Sequence, residues 1–213
     1  RSIVFWGNGK LKRVDSNGQN LREIPFQIAD SREVVPPVHP TVEVAPDRFT
    51  TKMARFATLS PDGRTLVFES LGKLWLKPAA GGAARRLTSG TDTARELFPA
   101  WSRDGRNLAY VRWTDDGLGR IHLTGPGGWA GRILVGAPGH YGRMAFSPDG
   151  RTLAFEIRNG GGLVSAAGAG SAGIWRVPVA GGAPVRVATG VSAPHFGAEN
   201  DRIFANAGGG GKQ

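Results

Sequence analysis

The sequence contains no cysteine among its 213 residues. This absence excludes disulfide bonds, a cysteine nucleophile and thiolate-ligated metal sites. It does not indicate a cellular compartment, because many exported bacterial domains also lack disulfides. A chain of this length with 40% apolar residues can instead bury a core of its own.

Long apolar runs are also missing. No stretch approaches the roughly 18–20 residues of a membrane-spanning helix, and no signal peptide is visible at the start. The chain begins at Arg1 with an apolar strand pattern and has no initiator methionine. We therefore expect a processed product or a piece of a longer protein, from which processing would have removed any signal peptide.

Acidic residues are scarce relative to basic ones. There are 17 acidic and 27 basic residues, which gives a formal charge of +10. A surplus of this size raises the question of a nucleic-acid partner. The surplus is spread along the chain, however, and the adjacent basic pairs are confined to Lys12-Arg13 and Arg85-Arg86. The pattern therefore disfavours nucleic-acid binding.

One short motif recurs three times at intervals of 42 and 45 residues. Residues 60–66 have the sequence Ser-Pro-Asp-Gly-Arg-Thr-Leu, and related copies occupy 102–108 and 147–153. The aspartate can bond the backbone that follows it and the glycine tolerates positive φ, so each copy predicts a tight hairpin turn. The predicted structural turn residues are Ser60, Asp62, Gly63, Ser102, Asp104, Gly105, Ser147, Asp149 and Gly150.

Four short apolar stretches accompany each copy of the motif. One precedes the turn, one follows it, and two more are separated by a Gly-Gly turn. Four short strands in about 40–45 residues are typical of a propeller blade, and no window has the helical period that a βαβ unit needs. The predicted fold class is all-β, a β-propeller of four-stranded antiparallel blades. Its core is expected at the contacts between blades, because one blade cannot bury both of its faces.

Both ends of the chain carry fragments of the same pattern. The predicted order is a partial blade at 1–26, a proline-rich linker at 27–52 with an edge strand at 41–44, blades at 53–90, 91–137 and 138–190, a partial blade at 191–206 and a disordered tail at 207–213. The third whole blade contains a glycine-rich insertion at 159–172. If the two partial blades formed one blade, the chain could close a four-bladed ring. The strand at 202–205 would then duplicate the strand at 2–5, so the sequence favours an incomplete arc of a larger propeller.

The repeat resembles a known family. It is similar to the TolB-like, WD-related propeller repeat of exported bacterial proteins. The similarity rests on the pattern Ser-Pro-Asp-Gly-Arg-x-Leu-x-Phe followed by Gly-Gly-x-x-x-Arg-Leu-Thr. The second copy departs from it with Arg103 in place of proline, which is expected to loosen that turn. A narrower resemblance, to the N-terminal propeller of exported metal-dependent amidohydrolases, comes from residues 4–11, 24–26, 44–49, 71–75 and 113–119.

The resemblance implies a location and partners. In such amidohydrolases the propeller precedes a catalytic barrel, and the barrel's His-x-His metal motif has no counterpart in this sequence. The location implied is periplasmic or secreted. The partner implied is a downstream catalytic domain or a protein of the cell envelope.

No residue pattern in the sequence forms a catalytic set. The repeated serines and aspartates recur once per blade, which argues against a nucleophile or a catalytic pair, and no Gly-x-Ser-x-Gly elbow or phosphate loop is present. Metal-ligand spacing is absent among the histidines, and strand, loop and surface positions are expected for His39, His122, His140 and His195. Positions in the blade core are expected for Trp75, Trp101, Trp113 and Trp175.

Asp115 and Asp116 form the best local cluster of acid. They are candidates for binding a cation or a basic partner. The structural alternative, which the Asp-Asp-Gly sequence favours, is a loop in which the carboxylates cap backbone amides.

Three hypotheses of function remain open. The first is a non-catalytic propeller module of an exported bacterial amidohydrolase, without a cofactor, that acts in domain packing, access control or binding of a partner or substrate. The second is a free-standing TolB-like periplasmic scaffold that binds proteins. The third is the propeller of a serine peptidase, which a downstream Gly-x-Ser-x-Gly motif would indicate.

Overall fold

The computed structural model describes residues 1–35, 46–90, 92–128, 131–158 and 172–207. In these ranges the regular secondary structure consists of β-strands, which confirms the predicted all-β class. No helix there is long and apolar enough to cross a membrane. The chain divides into two compact units, Arg1–Arg48 and Phe49–Gln213.

The first unit contains an antiparallel three-stranded sheet. Its strands are β1 (Ser2–Gly7), β2 (Lys10–Asp15) and β3 (Arg22–Ile24), in that order across the sheet. Because side chains alternate along a strand, Ile3 and Val4 project from opposite faces, and both are more than half exposed. Apolar side chains are therefore exposed on both faces of this sheet among the described residues.

The second unit contains four sheets in chain order. The strands of blade 1 are β4 (Arg55–Leu59), β5 (Thr65–Ser70), β6 (Lys73–Pro78) and β7 (Arg85–Arg86). Those of blade 2 are β8 (Arg95–Trp101), β9 (Leu108–Thr114), β10 (Leu118–Thr124) and β11 (Arg132–Gly139). Those of blade 3 are β12 (Tyr141–Phe146), β13 (Thr152–Ile157), β14 (Gly173–Pro178) and β15 (Val185–Ala188). The fourth sheet has two strands in the described residues, β16 (Val191–Phe196) and β17 (Ile203–Ala207).

The sheets are antiparallel and their first strands lie side by side. In each blade the four strands neighbour one another in sequence order. Contacts between sheets join β4 to β8, β8 to β12 and β12 to β16. Sheets arranged around their first strands form a β-propeller, and we call β4, β8, β12 and β16 the inner strands. The described part of this unit is an arc of three whole blades and one two-stranded sheet.

The apolar core lies between neighbouring blades, as the repeat predicts. One cluster of buried side chains joins blades 1 and 2 and includes Val67, Leu74 and Leu108. A larger cluster joins blades 2 and 3 and includes Ile121 and Phe155. Every side chain named here is at most 1% exposed. The fold is therefore stabilised mainly by burial between blades.

None of the four tryptophans that were expected in the blade core is fully buried. Trp101 packs against the first cluster and Trp175 against the second, and both are half-buried. Trp75 and Trp113 are half-buried as well. The indole N–H of Trp75 has a partner at this depth, because Nε1 donates to the carbonyl oxygen of Ser70 at 3.1 Å. The indole nitrogen of Trp101, in contrast, is buried without a hydrogen bond to the described residues.

Three predicted segments lie partly or wholly outside the described residues. They are the edge strand at 41–44, nearly all of the insertion at 159–172, and the tail beyond residue 207. Strand β17 ends at Ala207, so it includes the first residue of the predicted tail.

Candidate functional site

The repeated turn of blade 1 is built by hydrogen bonds of one serine and one aspartate. Ser60 Oγ donates to Asp62 Oδ1 at 2.6 Å and accepts the backbone N–H of Thr65 at 2.9 Å. Asp62 Oδ1 also accepts the backbone N–H of Arg64 at 3.0 Å. Gly63 has a φ of 72°, in the left-handed region that glycine adopts at little cost.

The other two copies repeat this geometry. The Ser Oγ to Asp Oδ1 distance is again 2.6 Å in the pairs Ser102–Asp104 and Ser147–Asp149, and Gly105 and Gly150 have φ values of 69° and 70°. These serines are 0% and 1% exposed. The hydroxyl groups of these serines are bonded within the turn. A nucleophile, in contrast, would have to be accessible to a substrate.

Arg103 does not loosen the second turn, contrary to expectation. The backbone N–H of Gly105 donates to the Ser102 carbonyl at 2.9 Å, the same distance as between Gly63 and Ser60 in blade 1. The turn bonds come from the serine, aspartate and glycine positions, so the residue between serine and aspartate is free to vary. Arg103 instead donates to the Gly197 carbonyl of the fourth sheet.

Replacing Ser102 by alanine is expected to destabilise the fold and to raise the pKa of Asp104. The loss leaves the half-buried N–H of Asn107 without its side-chain acceptor, which costs about 1–3 kcal/mol. The Ser102 hydroxyl is also the largest cause that holds the pKa of Asp104 below its ordinary value of 3.8. Urea unfolding and an NMR titration of the aspartate carboxyl carbons measure the two effects.

Asp149 is the internal control of that titration, because its partner Ser147 is unchanged in the variant. A carboxyl with a lowered folded pKa stabilises the fold above its unfolded pKa, and this contribution is lost as the pH falls through the folded pKa. The variant should therefore lose less stability than the wild type on acidification below pH 4. An unaltered Asp104 pKa would show that the serine bond does not act in solution.

The acidic pair Asp115 and Asp116 lies exposed in the turn between β9 and β10. Asp115 Oδ1 accepts the indole N–H of Trp113 at 3.1 Å. The backbone N–H of Gly117 in the same turn donates to Thr114 Oγ1 at 3.0 Å. A threonine therefore caps this amide of the loop, in which the aspartate carboxylates were expected to cap backbone amides.

The histidines occupy separate parts of the fold. His122 is 9% exposed in β10, and burial together with the charge of Arg112 lowers the pKa of His122. His140 contacts the Trp113 ring at 5.0 Å between centroids, and His195 stacks on Phe204 at 5.6 Å. His39 lies outside the described residues. In the described ranges no three His, Asp or Glu side chains form a group that could hold a metal ion.

A cleft of about 830 Å³ lies along the inner strands. Residues of all four inner strands line it, together with residues at the ends of β13 and β17. Its charged and aromatic side chains are Arg55, Arg143, Arg158, His195, Phe56 and Phe98. Neither lysine nor an acidic residue is found among the described residues of the lining. The cleft therefore presents a basic and partly aromatic surface along the inner strands.

β-bulges determine which side chains face this cleft. The pairing register shifts between Arg55 and Thr58 in β4 and between Leu97 and Ala100 in β8. Within these bulges Phe56 and Phe98 both have a φ of 52°, a conformation that a bulky side chain rarely adopts. Bulges of this kind redirect side chains and occur often beside functional sites.

Two arginines and two phenylalanines form a continuous row in the cleft. The Phe56 and Phe98 rings, from blades 1 and 2, have their centroids 4.4 Å apart. The guanidinium carbon of Arg55 lies 4.9 Å from the Phe56 centroid, and that of Arg158 lies 5.3 Å from the Phe98 centroid. These distances permit cation–π attraction at both ends. We call these four residues the Arg–Phe row.

Buried glutamates pair with the two arginines of the row. Arg55 Nε lies 3.2 Å from Glu69 Oε2, and Arg158 Nε lies 3.1 Å from Glu156 Oε1. The arginine side chains are 53% and 47% exposed, whereas the glutamates are 6% and 9% exposed. Glu156 accepts a hydrogen bond from Arg158, which limits the orientations available to that arginine. Arg55 and Glu69 form an ion pair without a hydrogen bond, so Glu69 attracts the guanidinium of Arg55 but fixes its orientation less closely.

Sequence reasoning missed this site, although the repeat contains its signal. Phe56, Phe98 and Arg143 each lie four residues before the serine of their turn, and Glu69 and Glu156 each lie nine residues after it. Alignment of the three copies on their serines would have placed the first set on neighbouring inner strands. It would also have shown that Glu69 and Glu156 occupy equivalent positions in blades 1 and 3.

Comparison with known proteins identifies the fold. No protein-family model and no curated protein matches the chain. A structure assigned as TolB of Agrobacterium tumefaciens superimposes with a TM-score of 0.62 at 21% identity, over 74% of this chain and 55% of that one. TolB of Acinetobacter baumannii gives 0.57 at 16% identity, over 94% and 44%. A chain of the nidogen–laminin complex gives 0.53 at 14% identity, over 92% and 63%.

The likeness at these identities concerns the fold alone. The chain spans about half the length of the TolB structures that it matches. It has the TolB-like β-propeller fold, with sheets of four antiparallel strands in its whole blades.

Proposed function

We propose that this chain is a non-catalytic β-propeller module that binds a partner protein or domain through the cleft on its inner strands. The observation that carries the proposal is the Arg–Phe row, in which half-exposed guanidiniums and aromatic rings lie on rigid strands and are held by buried glutamates. Arginine and aromatic side chains are enriched at the centres of protein interfaces. Preorganised side chains also lose less conformational entropy when a partner binds.

The parent protein in this proposal is an exported bacterial hydrolase of the amidohydrolase type. The propeller would pack against the downstream catalytic domain or control access to it, in the periplasm or outside the cell. The five sequence segments similar to amidohydrolase propellers support this parent. Neither a cofactor nor catalysis is assigned to the chain itself, because the repeated serines and aspartates are engaged in turns.

A free-standing protein-binding scaffold is the second candidate. The likeness of fold to two TolB structures favours it. Both candidates place binding on the propeller, and they differ in whether the partner is part of the same polypeptide.

The purified chain and its gene test the proposal together. We expect no turnover of amide or ester substrates, no stoichiometric zinc by metal analysis, and a reading frame that continues into a barrel with a His-x-His motif. Stoichiometric zinc with measurable turnover would overturn the binding-module proposal. A frame that ends within one or two blades of residue 213 would instead select the free-standing scaffold.

A further inference from the structure

We propose that the cleft recognises carboxylate groups on an acidic, extended segment of the partner, with Arg55 and Arg158 as its two anchoring guanidiniums. This inference rests on the proposed binding function and names the chemistry of the ligand. It is carried by the charge of the lining, by the free ends of the two arginines and by the aromatic surface between them.

The charge of the lining selects an anionic ligand. The described lining contains three arginines and a histidine without an acidic residue. Glu69 and Glu156 lie behind the row, buried, and each neutralises the arginine that it holds. Arg143 is exposed and forms no ion pair with any described residue, so it supplies uncompensated positive charge. Acidic segments are attracted to such a surface more strongly at low salt.

The ends of the two arginines match a carboxylate. In both residues the Nε atom is the one that contacts the buried glutamate. No hydrogen bond joins their terminal Nη atoms to the described residues, and these nitrogens form a planar pair. A carboxylate accepts two parallel bonds from such a pair. The buried glutamates thus leave the bidentate end of each guanidinium available to a ligand.

The aromatic surface favours carboxylates of a peptide over phosphate. Phe56 and Phe98 present rings between the two arginines, and apolar contact there suits the methylene groups of aspartate or glutamate side chains. Guanidiniums bind phosphate as well as carboxylate, but an inorganic phosphate has no apolar atoms to place against the two rings. The geometry therefore points to at least two carboxylates with apolar atoms between them.

Binding of a labelled peptide tests the inference directly. The probe is a fluorescein-labelled ten-residue peptide of alternating glutamate and alanine, and its matched control replaces every glutamate by glutamine. We expect the glutamate peptide to bind at least about 10-fold more tightly in a fluorescence anisotropy titration, because its side chains can pair with the guanidiniums. The affinity should fall as salt is raised.

Variants locate the binding in the cleft. Arg143→Gln and Arg55→Lys should each weaken binding by about 3–10-fold, the first by removing uncompensated charge and the second by removing the planar pair of donors. Arg64→Gln is the matched control, because Arg64 is an exposed arginine of the blade 1 turn and does not line the cleft. It should change the affinity by less than about 2-fold. Arg143→Gln leaves the buried glutamates paired, so it tests the cleft even if variants of Arg55 fold poorly.

The results separate failure of this inference from failure of the proposed function. Equal binding of the glutamate and glutamine peptides, or equal effects of Arg143→Gln and Arg64→Gln, would overturn the carboxylate site. Competition by inorganic phosphate at the same molar concentration as the peptide would also overturn it, in favour of a phosphate site. Equal competition by free glutarate would overturn the extended segment as the ligand, in favour of a small dicarboxylate. In each of these cases a chain without turnover or zinc would still leave the binding-module proposal standing.

Discussion

Replacing Phe155 by alanine is expected to lower the free energy of unfolding by about 3–5 kcal/mol. Phe155 is fully buried in β13, belongs to the cluster that joins blades 2 and 3, and contacts the Tyr141 ring edge-to-face at 5.7 Å between centroids. Its removal therefore opens a cavity where two blades meet. Urea unfolding followed by circular dichroism measures the loss.

Phe204→Ala is the matched control for this experiment. Phe204 lies in β17 and is 47% exposed, so its truncation should cost less than about 1 kcal/mol. Equal losses in the two variants would mean that blades 2 and 3 do not pack through Phe155 as described.

Glu96→Ala should lower the free energy of unfolding by about 2–4 kcal/mol. Glu96 lies in β8 and is 4% exposed. Its Oε2 accepts the backbone N–H of Leu74 at 2.8 Å, and its Oε1 accepts the hydroxyl of Thr88. Both partners belong to blade 1 or directly follow it, so one carboxylate of blade 2 satisfies two donors of its neighbour. Alanine would leave the buried N–H of Leu74 and the half-buried hydroxyl of Thr88 without this acceptor.

Glu96→Gln distinguishes lost hydrogen bonds from lost packing. Glutamine has nearly the same shape and one oxygen that can still accept, so about half of the loss should be recovered, whereas exposed Glu199→Ala should be nearly neutral. The same unfolding measurement compares the three variants. If Glu96→Ala is as mild as Glu199→Ala, the carboxylate does not connect the blades.

The strand pattern and the repeated turn could be predicted from the sequence because both depend on local chemistry. The alternation of apolar residues and the pair Asp62-Gly63 determine a hairpin without reference to distant residues. The cleft could not be predicted in this way. It depends on the contact of Phe56 with Phe98, which are 42 residues apart in the chain, and on bulges that turn both side chains in one direction.

The burial of individual side chains was predicted less well than the positions of the strands that contain them. Trp101 and Trp175 were expected in the core, but they border it, while Phe155 and aliphatic residues fill it. Alternation along a strand tells which side chains share a face. It does not tell how far the next blade covers that face, because this depends on packing between sheets.

Different residues maintain the fold and bind the partner. The repeated serine turns maintain the hairpins, and the cleft on the inner strands binds the partner. A titration of the labelled glutamate peptide into Ser102→Ala and Arg143→Gln, under conditions where both variants are folded, tests this distinction most directly. We predict wild-type affinity for Ser102→Ala and about 3–10-fold weaker binding for Arg143→Gln. Weaker binding by Ser102→Ala together with wild-type binding by Arg143→Gln would contradict the account.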